Sequence, residues 1–182
     1  DLVNVLLKTG RKAGIPFAYT EGHNPKPRMS LPFAIPLGVE SAMELGEVML
    51  QEPVSGETFV REFNRFLPVE LQLFAARSRE SGRSLAAEPY FHDYLVMGEP
   101  DAGLLEHLGG VIPAGKPSCA DAEPAGPAAP FHRLVEEGVF LRLDRLMTIK
   151  KLFSDAPRGY QHYRVRRRAL WLLRDGTLVS PL

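Results

Sequence analysis

Between Tyr19 and Gly38 the chain places Gly22, Asn24, Pro25, Pro27, Pro32, Pro36 and Gly38 in one short run. Glycine supplies backbone angles that other residues avoid, and proline fixes φ while removing a donor. A run so dense in both has one imposed path and excludes a regular helix. It also carries His23, Asn24, Lys26 and Arg28, polar and cationic groups on a stiff backbone, which is how a binding loop is built. Two readings stay open. The run is either a ligand-binding loop, or a long crossover whose prolines and Asn24 stabilise its path while Lys26 and Arg28 stay solvated.

The flanking residues carry regular periods. Leu2, Val5, Leu6 and Leu7 recur at helical spacing, with Asp1 as N-cap and Gly14-Ile-Pro16 as the stop, so residues 2–13 are expected to be helical. Phe17–Tyr19 and Met29–Ile35 read as extended pieces, and Glu44–Gln51 as a strand. Ser55 caps a predicted helix over 56–66, on which Phe59, Val60, Phe63 and Phe66 fall at three- and four-residue steps. Pro68 ends it, and Glu70–Arg77 alternates as a strand with Leu71, Leu73 and Ala75 on one face.

The polar stretch 78–88 lacks an apolar period and reads as a linker between a first half, 1–77, and a second, 89–182. In the second half, Pro89–Met97 is a strand and Asp101 caps a short helix to about Gly109. Residues 113–130 form an insertion rich in Pro, Ala and Gly, expected to be mobile because it has too few large apolar groups to bury. Phe131–Val135 and Val139–Leu143 flank Glu136-Glu137-Gly138 as a hairpin, Leu146–Phe153 is a short helix and Tyr163–Leu173 a long strand. Asp175-Gly176 then turns the chain into Leu178-Val179. With one strand added upstream, the first half has the order β-α-β-β-α-β, and the second shows the same order. The expected fold class is therefore α+β, a ferredoxin-like split β-α-β arrangement in two such halves, with antiparallel sheets and helices on one face. The two halves are inferred from element order, since no sequence repeat is visible.

Formal net charge is zero, but residues 1–36 hold five bases against two acids and residues 131–182 hold eleven against five. The middle is correspondingly acidic. Such a pattern steers an anionic partner or draws parts of the chain together. No apolar run is long enough to span a bilayer and no signal-peptide pattern opens the chain, so no membrane association is expected. The single Cys119 excludes an internal disulfide, which fits a cytoplasmic location, and its place in the insertion makes it an incidental thiol. Iron–sulfur clusters are held by several cysteines, and one cannot hold such a cluster alone. His23, His92, His107, His132 and His162 show no zinc spacing, no Walker or dinucleotide loop is present, and no nucleophile elbow marks a catalytic triad.

Along Tyr163–Leu173, strict alternation places Tyr163, Val165, Ala169, Trp171 and Leu173 on one face, interrupted by Arg167, and Arg164, Arg166 and Arg168 on the other. Two-residue steps of about 6.6 Å approximate the phosphate repeat of an extended nucleic-acid strand, and arginine suits phosphate. The alternatives are a solvated face or ion pairs with the acidic middle. Trp171 reads as a core residue rather than a base-stacking platform, because it shares the apolar face.

Arg11-x-x-Gly14-x-Pro16-x-x-Tyr19-x-x-Gly22-x-Asn24-Pro25-x-Pro27, followed by Leu31-Pro32, Pro36-x-Gly38, Ser41 and Glu44, resembles the signature of the radical SAM-linked proteins. These are domains of unknown function fused to, or encoded beside, cobalamin-binding-type radical SAM proteins. The likeness is close from Asp1 to about Arg77 and returns weakly at Val165-Arg-Arg-Arg and Asp175-Gly-x-Leu-Val-Ser-Pro-Leu182. His23 stands where the family usually has an aromatic. A strand and a Ser-His-Leu-Asp run that the family carries upstream are reduced to Asp1, so the chain reads as truncated at its N-terminus. The constrained polar loop and the resemblance together give Arg11, Tyr19, Gly22, His23, Asn24, Lys26, Arg28, Ser41 and Glu44 as expected ligand-binding residues, and the resemblance implies a radical SAM protein, in cis or in trans, as partner. The iron–sulfur cluster, S-adenosylmethionine and cobalamin would belong to that partner, with no cofactor in this chain. Three functions stay open: a non-catalytic accessory domain positioning a substrate such as RNA, a small enzyme with a polar site at Tyr19–Arg28, and a structural docking domain.

Overall fold

A computed structural model describes residues 2–79, 84–112, 114, 130–135, 137–144, 147–156, 163–175 and 177–179. The expected cap Asp1, the thiol Cys119 and nearly all of the 113–130 insertion lie outside these residues. Its contacts cluster into two units. One comprises the chain up to Phe33 together with Leu45–Leu85, and the other comprises Ala34–Glu44 together with the chain from Ala86 onward. The expected halves were continuous stretches. In the structure residues 34–44, from within the first, belong with the second.

In the first unit, helix α1 (Leu2–Lys12) buries Leu6, Thr9 and Gly10, while Val5 lies outward. Gly10 is required by a close approach, since a Cβ there would enter the rings of Phe17 and Phe63. The helix ends in a Schellman turn: the Ile15 N–H donates to Gly10 O at 2.9 Å and Gly14 N–H to Arg11 O at 3.2 Å, with Gly14 at φ 69°. Helix α2 (Gly56–Asn64) begins at Ser55, whose hydroxyl accepts from the Thr58 N–H. Leu6, Ile15, Phe17, Phe63 and Leu67 form the core between these elements, with Phe59, Leu73 and Val48 packed against it. Strands β1 (Met29–Ser30) and β3 (Glu47–Val48) pair antiparallel.

The strand expected at Glu70–Arg77 is not one. A single 3-10 turn occupies Val69–Leu71, Gln72 leaves it in an extended conformation, and residues 72–79 carry no regular secondary structure. The Asn64 carboxamide explains the difference: its Nδ2 donates to Leu73 O at 2.7 Å and its Oδ1 accepts from Leu73 N–H at 2.8 Å. At Leu73 this one side chain thus satisfies both backbone groups that a neighbouring strand would have engaged.

The second unit is built on a six-stranded sheet. Its members are β2 (Val39–Ser41), β4 (Tyr90–Met97), β5 (Phe131–Val135), β6 (Gly138–Asp144), β7 (Arg164–Arg174) and β8 (Thr177–Val179). The order is β2-β7-β4-β6-β5, with β8 also paired to β7. From β4 to β7 the pairings are antiparallel, whereas β2 runs parallel to β7, so the sheet is mixed rather than wholly antiparallel. Helices α3 (Ala102–Val111) and α4 (Ile149–Leu152) are capped by Asp101 and Thr148. Leu104 and Leu108 of α3 and Ile149 and Leu152 of α4 share a core with Tyr94, Val96, Val139, Leu141, Leu143 and Val165, which places both helices on one face of the sheet. This is a mixed α+β structure. Among the described residues no helix is long and apolar enough to cross a membrane.

Candidate functional site

The Tyr19–Arg28 loop rises from a closed ring of backbone hydrogen bonds. Arg28 N–H donates to Ala18 O, Ala18 N–H to Met49 O, and Met49 N–H to Arg28 O, at 2.8 to 2.9 Å. Above this ring Tyr19 bridges Pro27, Thr20 N–H donates to Lys26 O, and Lys26 N–H returns to the Thr20 hydroxyl. The loop is therefore pinched at its neck, and residues 21–25 form its tip. Gly22, at φ 113°, adopts a conformation that side chains rarely accept. Proline at 25 and 27 leaves no donor at either position to satisfy. Everything beyond the neck points outward. His23, Asn24, Lys26 and Arg28 are exposed, and their side chains have no hydrogen-bond or ion-pair partner among the described residues. Tyr19 is half-exposed, and Arg11 is exposed on the last turn of α1.

The nine expected ligand residues are divided by the fold. Arg11, Tyr19, Gly22, His23, Asn24, Lys26 and Arg28 belong to the first unit, and Ser41 and Glu44 to the second. Ser41 turns its hydroxyl onto Met43, donating to its carbonyl at 2.8 Å and accepting from its N–H at 3.2 Å. Glu44 accepts from Arg167 Nη1 at 3.2 Å.

The arginine strand differs from strict alternation. The register between β4 and β7 shifts beside Asp93 and Tyr94: Asp93 faces Ala169 while Tyr94 faces Arg167, which makes Arg168 an extra residue. Beyond that bulge the faces exchange. Leu170 and Leu172 join Val165 and Arg167 on the helix-covered face, and Ala169 and Trp171 join the face of Arg164 and Arg166. On the first face Arg167 is only 2 % exposed, lies 5.8 Å from the Tyr94 ring centroid, and has no partner for Nε among the described residues. On the other face Arg142 grips Asp93 through two hydrogen bonds of 2.7 Å, and Trp171 Nε1 donates to the same carboxylate at 2.6 Å. The half-buried Trp171 is thus tied into a buried ionic network.

The charged strand is also paired. Arg164 and Arg166 both hold Glu40, Arg168 holds Glu137, and Arg174 holds Glu88. Glu40, Glu44 and Glu88 come from the acidic middle of the chain, so the uneven charge distribution does draw parts of the chain together within this unit. Sequence reading missed Glu40 and the Asp93–Arg142–Trp171 network; the only signal for either was the excess of acids between residues 37 and 130. Burial, with the Arg167 charge second, lowers the His92 pKa to about 3. Tyr94 is raised above the ordinary phenol value, chiefly by burial. Among the described residues no group of three or more His, Cys, Asp or Glu is placed to hold a metal ion.

No curated protein and no solved structure matches the chain. A family model described as "Uncharacterized protein conserved in bacteria (DUF2344)" matches residues 1–117. That span takes in the ring-pinned loop, the 34–44 strap with Glu40 and Glu44, and the strand and helix that open the second sheet's long run, so the chain belongs to this family of conserved bacterial proteins.

Proposed function

We propose that the chain is a non-catalytic, cytoplasmic accessory domain that positions a substrate for a radical SAM enzyme acting in cis or in trans. The observation that carries this reading is the Tyr19–Arg28 loop. Its neck is fixed by the ring at Ala18, Arg28 and Met49, yet the side chains of His23, Asn24, Lys26 and Arg28 have no hydrogen-bond or ion-pair partner among the described residues. Polar groups held rigid and outward bind a partner at low entropic cost, because their ordering is achieved on folding. The likeness of the loop's signature to the radical SAM-linked proteins supplies the partner, and the cluster and S-adenosylmethionine would reside there. RNA is the proposed substrate, with the arginines of β7 as a second contact. We read the second unit as a ferredoxin-like split β-α-β arrangement. The order β-α-β-β-α-β from β4 to β7 and the antiparallel path β7-β4-β6-β5 support that reading.

A second reading, docking to a protein through the first unit, is favoured by Phe66, Val69, Leu71 and Phe74, all exposed within one short stretch. A host strain lacking the gene separates the two. Complementation with wild type should restore a nucleoside modification seen by mass spectrometry of total RNA, and Asn24→Ala/Arg28→Ala should not. Both positions are exposed, so thermal stability should change by only about 0.5 kcal/mol. Full restoration by the double variant would overturn the reading.

A further inference from the structure

Two arginines that sequence spacing assigns to successive phosphates converge on one anion. Arg164 donates through Nε to Glu40 Oε1 at 2.8 Å, and Arg166 through Nε and Nη2 to Glu40 Oε2 at 2.9 and 2.7 Å. Register causes the convergence. Glu40 lies opposite Arg166 in the parallel β2–β7 pairing, and Arg164 stands two residues along on the same face. Arg168, the extra residue at the bulge, is not a third member of the row and pairs with Glu137. Two cations thus face one carboxylate, leaving an excess of one positive charge. Arg164 uses only Nε here, and neither its Nη nitrogens nor Nη1 of Arg166 has a partner among the described residues. The side chains of Arg164, Arg166 and Glu40 are 65 %, 42 % and 40 % exposed, so solvent and ligand reach all three.

We propose that Arg164 and Arg166 form a clamp for a single phosphate group of single-stranded RNA, and that the Glu40 carboxylate occupies the clamp as an internal competitor which that phosphate displaces. The guanidinium fork meets a carboxylate and a phosphate with the same paired N–H geometry, so one can stand in for the other. A phosphodiester carries the same single negative charge as Glu40, and its arrival neutralises the excess positive charge that the two arginines leave over, while the displaced Glu40 carboxylate stays close enough to oppose it. Hydrogen bonds from Arg164, then Arg166, hold the Glu40 carboxyl below its ordinary range, so the competitor stays ionised around neutral pH. Residues 34–44 thereby gain a role beyond completing the sheet: they set the threshold at which the arginine strand accepts an anion. This deepens the RNA part of the proposed function and does not involve the Tyr19–Arg28 loop.

The test is titration of a labelled single-stranded RNA oligonucleotide at several salt concentrations, with thermal melts to verify folding. Glu40→Gln, which keeps the stem and removes the charge, should bind about fivefold more tightly than wild type at low salt, as expected for one repulsive charge within a few ångströms. Glu40→Ala should shift affinity in the same direction, which guards against an effect peculiar to glutamine. Arg164→Ala/Arg166→Ala should weaken binding and reduce the log–log salt slope by about 0.7, one phosphate, rather than the roughly 1.4 of two separate contacts. In that arginine-free background Glu40→Gln should have no effect, because the interaction it relieves is gone. Equal or weaker binding by both Glu40 variants would overturn the proposal, as would a gain that persists without the arginines. Absence of RNA binding by wild type and Glu40→Gln alike would also overturn it. The loop reading would then still stand or fall on complementation by Asn24→Ala/Arg28→Ala.

Discussion

His92 shows how a single buried side chain couples this fold to pH. It stands between the rings of Tyr90 and Tyr94, at centroid distances of 5.0 and 5.8 Å, and burial outweighs the nearby Arg167 charge in lowering its pKa from 6.5 to about 3. The unfolded chain therefore takes up this proton first. The associated stability is fully present above pH 6.5, falls as pH drops from there towards 3, and is gone below. A shift of this size corresponds to on the order of 5 kcal/mol. His92→Phe, which keeps a ring at the site, should flatten the decline of Tm with falling pH across that window, and an unaltered decline would show that other groups govern it. None of this was legible in the sequence, where His92 is one histidine among five without metal spacing. The burial of Arg167 was half legible: it visibly broke an apolar face, but its partner Glu44 lies more than a hundred residues away and entered only through a signature. Gly14 and Gly22 were legible outright, because the turns that need positive φ advertise themselves through glycine and adjacent proline.

Helices were read well and strands less well, for physical reasons. Caps at Ser55 and Asp101 are local, and the structure places helices after both. Strand faces depend on a neighbour. The period along β7 was true up to Arg167 and then inverted, because a bulge opposite Asp93 inserted one residue that no single-strand pattern reveals. Glu70–Arg77 alternates as a strand should, yet at Leu73 the side chain of Asn64, from helix α2, supplies both backbone partners. Asn64→Ala removes two hydrogen bonds and leaves half-buried Leu73 backbone groups unsatisfied, a destabilisation of about 1–3 kcal/mol. Denaturant unfolding should show that loss together with faster amide exchange at Leu73. A variant as stable as wild type, with Leu73 still protected, would mean that another element supports this segment. The strap at 34–44 was unreadable as such, since its three-residue parallel strand finds its partner in β7 more than a hundred residues onward.

The chain combines two compact units with an uneven charge distribution. Part of the acidic middle is engaged by the basic closing strand within the second unit, whereas the loop of the first unit keeps its cations outward. The family model covers residues 1–117, a span that contains the residues of the loop and of the 34–44 segment. Element order in the second unit was legible because each element carries its own period or cap. The division into units was not, because it depends on where the 34–44 segment makes its contacts. The claim that joins these observations is that the domain holds a substrate while a radical SAM protein acts on it. Tagged protein should be purified from the native host, with bound protein identified by mass spectrometry and bound nucleic acid by sequencing. A radical SAM protein should be recovered equally with wild type and with Asn24→Ala/Arg28→Ala, while RNA should be enriched more strongly with wild type. Recovery of no radical SAM protein with either form would contradict the account.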